Sequence, residues 1–231
     1  MKKVLGIIGG VGPLATMLIG EMIVRRTKAT KDQEHVHTII DNDTSIPDRT
    51  AYILDNSKEN PVPYLARDAK KLAEYGAGVI CIPCNTAHSF YEELQQASSV
   101  PVIHMIRETA KRAKELGASR VGILATDGTL KSGVYQAALE EQGLSPVVPK
   151  QDIQKQVMSV IYDYVKAGRD VTWDIWEPIE QAMEGCDFVV LGCTELSIVN
   201  KELKLGTRYI DSLIVLAETA ITACGYEVVG N

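Results

Sequence analysis

The chain has 231 residues, 45% of them apolar and 23% charged, enough to bury a sizeable core and ordinary for a soluble globular protein. Its net charge of −6 and its scattered Lys and Arg residues exclude nucleic acid as the main partner, because phosphate binding needs a basic surface. Five cysteines with no framework spacing favour reduced thiols in the cytoplasm over a disulfide-stapled secreted domain.

The first predicted element is a strand, Val4–Ile8. Lys2 and Lys3 precede an uncharged run to Gly20 that imitates a signal peptide, but Gly6, Gly9, Gly10, Gly12 and Pro13 would break its helix. No other segment approaches membrane-spanning length, so no membrane association is expected. Further strands are predicted at Thr38–Asp41, Val79–Ile82, Val102–His104, Val121–Leu124, Phe188–Leu191 and Tyr209–Ile210. Most are continuous apolar runs, as strands covered on both faces of a parallel sheet require. Helices between them end at glycines: Arg107 to Leu116 at Gly117, Leu130 to Gln142 at Gly143, and Ile153 to Ala167 at Gly168. The alternation predicts an α/β fold.

The chain also repeats itself. "GIIGGVGPL" from Gly6 aligns with "GILATDGTL" from Gly122, and "EYGAGVICIPCNT" aligns with "MEGCDFVVLGCTE", matching Cys84 to Cys193. A duplicated α/β unit would set two sheets face to face across a pseudo-two-fold axis. Ligands of open α/β sheets bind at the carboxyl ends of strands, where both cysteines fall.

Each cysteine ends an apolar run and precedes good capping residues, Asn85 and Thr86 in one corner and Thr194 in the other. A thiol at a helix N-terminus meets the positive end of the macrodipole, which favours the thiolate. Unpaired backbone N–H groups there suit a carboxylate. With one such group on each side of a cleft, one thiolate can remove a proton from carbon while the opposite thiol delivers one to the other face. That inverts a stereocentre.

Other readings compete. "CIPC" is a C-x-x-C, and His88 lies one helical turn after Cys84, a redox or metal pattern. The repeat opposes it, because Cys81 aligns with Val190. No metal is expected. Cys186 and Cys224 read as structural. "GGVGPLA" fits G-x-G-x-x-A after a strand, with Asp41 at a later strand end. A dinucleotide-dependent oxidoreductase is therefore the alternative of another class.

Taken together, "GIIGGVGPLAT", "SIPDRT", "PCNTAH", "LATDGT", "IYDYVKAG" and "LGCTEL" resemble the aspartate/glutamate racemase family, closest to its aspartate branch. The resemblance implies a homodimeric, cofactor-independent racemase of two pseudosymmetric α/β domains, residues 1–105 with 212–231 and residues 106–211, with the site between them. It implies that Cys84 and Cys193 interconvert L- and D-aspartate by two-base proton transfer. Glutamate or broad specificity is the alternative. Asn85, Thr86 and Thr194 would hold the α-carboxylate and ammonium, Thr126 and Thr129 would line the cleft, and Arg49 and Lys166 would bind the side-chain carboxylate. Glu195 would cap its helix or orient the catalytic groups. Val11 replaces a common Met. Simpler roles remain for several: a surface ion pair for Arg49, a helix-dipole partner for Lys166, caps for Asn85, Thr86 and Thr194, and a structural role for His104.

Overall fold

The computed structural model describes residues 2–230. Strand β1 (Leu5–Ile8) leads into α1 (Pro13–Arg26), followed by β2 (Thr38–Asp41), α2 (Arg49–Leu54), α3 (Val62–Glu74) and β3 (Val79–Cys81). A 3₁₀ segment, Thr86–Phe90, then runs into α4 (Tyr91–Ala97) and α5 (Met105–Glu115). The second half holds β4 (Arg120–Ala125), α6 (Asp127–Ser132), α7 (Val134–Glu141), β5 (Ser145–Val147) and α8 (Gln151–Ser159), which continues as a π-helical stretch, Val160–Val165. It closes with α9 (Trp173–Ala182), β6 (Phe188–Gly192), α10 (Thr194–Leu203), β7 (Tyr209–Asp211) and α11 (Ser212–Ala223). Among the described residues no helix is long and apolar enough to cross a membrane.

The strands form two parallel sheets, ordered β2-β1-β3 and β5-β4-β6-β7. Val102 bridges Ile80 in parallel, outside any regular strand, so it occupies the place in the first half that β7 holds in the second. The predicted strand Val102–His104 is thus a single bridging residue; Pro101 before it and the α5 cap after it leave no room for a ladder. The repeat extends to register. Ile7 pairs with Cys81, and Ile123 with Val190, the residues that the sequence alignment matched.

Alternating faces of each strand fill separate cores. Leu5 and Ile7 pack with α1 and with Leu213, Leu216, Ala217, Ala220 and Ile221 of α11, while Ile8 faces Leu65, Ala69 and Leu72 of α3. In the second half Val121 and Ile123 pack with Ile106, Ala110 and Ala113 of α5, and Leu124 faces Trp176 and Ile179 of α9. The helix after each fourth-strand position therefore packs on the other half's sheet. Full burial of a Leu or Ile side chain stabilises by about 1.5–3 kcal/mol, so this exchange holds the halves together. Glu218 of α11 bonds both Arg26 and Arg112, at 2.5 and 2.7 Å.

Two predicted helices differ in detail. The pattern over Leu130 to Gln142 breaks at Gly133, whose φ of 72° is left-handed and separates α6 from α7. The helix expected from Ala87 starts as a 3₁₀ segment. The edge strand β5 contains Pro146 and carries no apolar run, which hid it from pattern reading.

His104 is the N-cap of α5, its Nδ1 accepting the Arg107 backbone N–H at 3.3 Å. Burial, with the neighbouring His88 ring and Arg107, pushes its pKa down to about 3. Above the unfolded value, about 6.5, neither state is protonated. As pH falls from there towards 3 the unfolded state takes the proton first, so stability declines. His104→Asn keeps a capping oxygen and should flatten the slope of stability between pH 7 and pH 4, read as denaturation midpoints. An unchanged slope would remove His104 from that account.

Candidate active site

The two thiol corners lie at the carboxyl ends of β3 and β6, the strands flanking β1 and β4. Cys84 and Cys193 line one narrow slot with Arg49, Asn85, Thr86, Thr126, Lys166, Thr194 and Glu195. Of the catalytic and substrate-binding residues that the resemblance implied, Thr129 alone is withheld from its surface; it sits behind, bonding Thr86 and Thr126. The open space in the slot is about 10 Å³, near the minimum for one water. Beside it opens a chamber of about 480 Å³ that shares Asp48, Arg49, Lys166 and Glu195 with the slot and has Leu14, Ile46, Val165 and Ile198 in its walls.

The corners are alike in position and different in detail. Cys193 is itself the N-cap of α10, whereas Cys84 precedes Asn85, the N-cap of the 3₁₀ segment. The Cys193 thiol donates to Glu195 Oε2 at 3.0 Å. Burial, and then the charge of Glu195, push its pKa well up. This corrects the thiolate expected from the helix dipole: loss of hydration and an adjacent carboxylate outweigh half a unit of dipole charge. Cys193 therefore rests as a thiol whose proton points at a carboxylate.

Glu195 sits between cations and thiol. Its Oε1 is 3.9 Å from Lys166 Nζ, and the ammonium also lies 4.3 Å over the Tyr162 ring. Burial alone would lower the Lys166 pKa, yet Glu195 and the other acidic groups nearby leave it raised. Lys166 is thus a charged side chain of the site, beyond any interaction with its own helix end. Gly12 makes room for Glu195: its φ is 125°, and a Cβ there would stand 3.1 Å from Oε1.

Arg49 opens α2 and is only 8% exposed, which removes the surface ion-pair reading. Its Nη1 donates to the carbonyls of Ile46 and Pro47 at 3.3 and 3.0 Å, while its buried Nε has no partner. An unmet donor of this kind costs about 1–3 kcal/mol, which an acceptor from a ligand would offset. Asp48 caps α2 by accepting the Ala51 N–H at 2.7 Å.

The hydroxyls of Thr86, Thr126 and Thr129 form a triangle with sides of 2.9–3.0 Å, and Thr50 joins it at 3.2 Å from Thr126. Asn85 is less free than the sequence implied. Its amide oxygen accepts from Tyr135 and its nitrogen donates to Ser212, leaving one N–H for a ligand. Thr194 is buried and donates to Glu195 at 3.4 Å.

The rival motifs find other uses. Cys81 lies in the apolar core with Leu5 and Ile7, on the opposite face from Cys84, so C-x-x-C is no dithiol. His88 Nδ1 donates to the Cys84 carbonyl, and Nε2 accepts the Met105 N–H. No group of potential metal ligands occurs among the described residues. In the Gly-rich turn, Gly10 packs so tightly that a Cβ would stand 2.0 Å from the Asp43 carbonyl oxygen, and Asp41 is paired with Lys71 at 2.8 Å. Tyr162, Asp48 and Thr50, all in the slot, escaped the sequence reading. Tyr162 and Asp48 stand inside "IYDYVKAG" and "SIPDRT", and Tyr162 precedes Lys166 by one turn.

The model of the family described as Asp/Glu/hydantoin racemase matches residues 8–220. The broad-specificity amino-acid racemase RacX of Bacillus subtilis is 29% identical over 226 residues, covering 94% of this chain and 96% of that protein. An aspartate racemase structure from Picrophilus torridus superposes with a TM-score of 0.85 at 34% identity, covering 98% of this chain and 96% of the other. A glutamate racemase from Francisella tularensis, solved with D-glutamate, shares the fold at 18% identity and a TM-score of 0.68, with 96% and 81% covered. The matched span runs from the end of β1 through both thiol corners and most of α11, and on it the chain belongs to the Asp/Glu/hydantoin racemase family.

Proposed function

We propose that this protein racemises aspartate without a cofactor, using Cys84 and Cys193 as the two acid/base groups. The observation that carries the reading is the pair of thiols presented from equivalent strand ends into one slot. In one direction a thiolate at Cys84 takes the α-proton, and the electron pair left on the α-carbon delocalises into the α-carboxylate. The Cys193 thiol then gives its proton to the opposite face. The reverse direction exchanges the roles, and solvent returns the proton between turnovers. Backbone N–H groups at the α10 start and the remaining Asn85 N–H are the donors available to the developing enolate.

Arg49, with its unmet Nε, and Lys166 would hold the side-chain carboxylate, Lys166 exchanging Glu195 for it. The aspartate-racemase likeness from Picrophilus torridus supports this substrate. A broader range is the second reading, because the chamber of about 480 Å³ beside the slot exceeds what an aspartate side chain fills. Incubation of purified protein with L-aspartate, L-glutamate and L-alanine, followed by chiral chromatography, separates the two. Aspartate turned over at least tenfold faster supports the first; comparable rates on all three would replace it with the second.

Glu195 shapes the pH dependence of the reaction. Because its charge raises the Cys193 pKa, Glu195→Gln should let that thiol ionise at lower pH. The kcat/KM profile should then move to lower pH, and equally from either enantiomer, since two enantiomers interconvert with an equilibrium constant of 1 and so share one kcat/KM at every pH. An unmoved profile would contradict the assignment.

A further inference from the structure

One buried side chain touches the frames of both thiol corners. Tyr135 of α7 is fully buried, and its hydroxyl donates to Asn85 Oδ1 at 2.5 Å, beside Cys84. Its ring passes under Gly192, the residue before Cys193: a Cβ on Gly192 would stand 2.9 Å from Tyr135 Cε2. Asn85 is held from a second side. Its Nδ2 donates to Ser212 Oγ at 3.0 Å, and Ser212 Oγ donates to the Leu191 carbonyl at 2.7 Å, inside β6. Two hydrogen bonds therefore run from the β3 corner to the β6 corner through Ser212 of α11, and a third ties Asn85 to Tyr135 of α7, whose ring reaches the β6 corner by packing.

Packing alone does not ask for this. A phenylalanine ring would fill the same core with Ala138 and Leu139, and bonds between two side chains are the minority class in proteins. Here two of them lie in series beneath the slot. We infer that Tyr135 is a positioning residue for racemisation, fixing through Asn85 and Gly192 the separation and facing of the Cys84 and Cys193 thiols, with Ser212 as its counterpart. This rests on the two-thiol reading above. Two-base transfer needs both sulfurs in line with one α-carbon, and misplacement by about 1 Å can cost on the order of 100-fold.

The test compares wild type, Tyr135→Phe, Asn85→Ala and the double variant, by kcat and KM on both enantiomers of aspartate. In parallel, iodoacetamide alkylation of Cys84 and Cys193 is followed by mass spectrometry. For Tyr135→Phe the expected result is a kcat lower by roughly 10- to 100-fold with KM nearly unchanged. The two alkylation rates should change relative to each other by about threefold or more, since reactivity follows thiolate character and access. The double variant should be no slower than Asn85→Ala alone, because the tyrosine acts through Asn85. A kcat within about twofold of wild type, or additive losses in the double variant, would overturn the inference. If wild type racemises no amino acid, the two-thiol reading fails by itself, and the alkylation rates still decide whether Tyr135 sets the thiols: unchanged rates at both would refute it. Should Tyr135→Phe not fold, Ser212→Ala leaves every ring in place and carries the same expectations.

Discussion

Serine in place of either thiol should reduce racemisation by roughly 10²- to 10⁴-fold, the usual contribution of one positioned acid or base. A serine hydroxyl is too weakly acidic to serve as the base near neutral pH, yet it fits the same small buried space, so Cys84→Ser and Cys193→Ser should fold as the wild type does. The two variants should also fail differently. Cys193→Ser keeps the thiol that can remove a proton from one enantiomer, and that enantiomer should go on exchanging its α-hydrogen with solvent. Cys84→Ser should preserve exchange of the other enantiomer alone. Exchange is read by the loss of the Cα–H signal in D₂O, and inversion by chiral chromatography of the same sample. Near-normal inversion in both variants would end the two-thiol account.

Arg49→Ala is the second large effect. The guanidinium is buried, bonded to the Ile46 and Pro47 carbonyls, and left with an unmet Nε. Hydrogen bonds to charged groups contribute about 1.5–3 kcal/mol, so kcat/KM for aspartate should fall by roughly 10- to 100-fold. An amino acid without a side-chain carboxylate gains nothing from Arg49 and should lose much less. Arg49 also ties down the loop before α2 through those two carbonyls, so a modest loss on every substrate is expected beneath the specific one. Equal losses on aspartate and alanine would leave Arg49 with that structural role only. Arginine and lysine differ in geometry here: a point charge at this position cannot bond both carbonyls and a ligand at once, so Arg49→Lys should resemble the alanine variant on aspartate.

Much of this site was legible because the chain states it twice. Gly6 with Gly122 and Cys84 with Cys193 gave the register that the two sheets adopt, Ile7 opposite Cys81 and Ile123 opposite Val190. A continuous apolar strand ending in a cysteine and a capping residue has one natural place in an α/β sheet, the mouth of the cleft. Thr126 and Arg49 followed from motifs rather than from periodicity, and the structure gives them physical roles: Thr126 caps α6 and Arg49 starts α2.

What escaped was chemistry that depends on the third dimension. The raised pKa of Cys193 comes from burial and from Glu195 two residues on, and the helix dipole, which a sequence does reveal, is the weaker influence. The engagement of Asn85 by Tyr135 and Ser212 joins segments far apart in the chain, and no local pattern announces it. Tyr162 reaches the slot from a π-helical stretch, where the added residue per turn changes which side chains share a face. The short β5 and the lone bridge at Val102 fell below what apolar runs can signal, since each contributes few buried residues.

The most direct measurement follows L-aspartate and wild-type protein in D₂O from the first turnovers, with no added cofactor. Two thiols on opposite faces predict that D-aspartate, as it first forms, carries solvent deuterium at Cα, while the remaining L-aspartate keeps its hydrogen. Deuterium appearing in L-aspartate as early as in the product would mean that one group both removes and returns the proton, and would contradict the assignment of Cys84 and Cys193 to opposite faces.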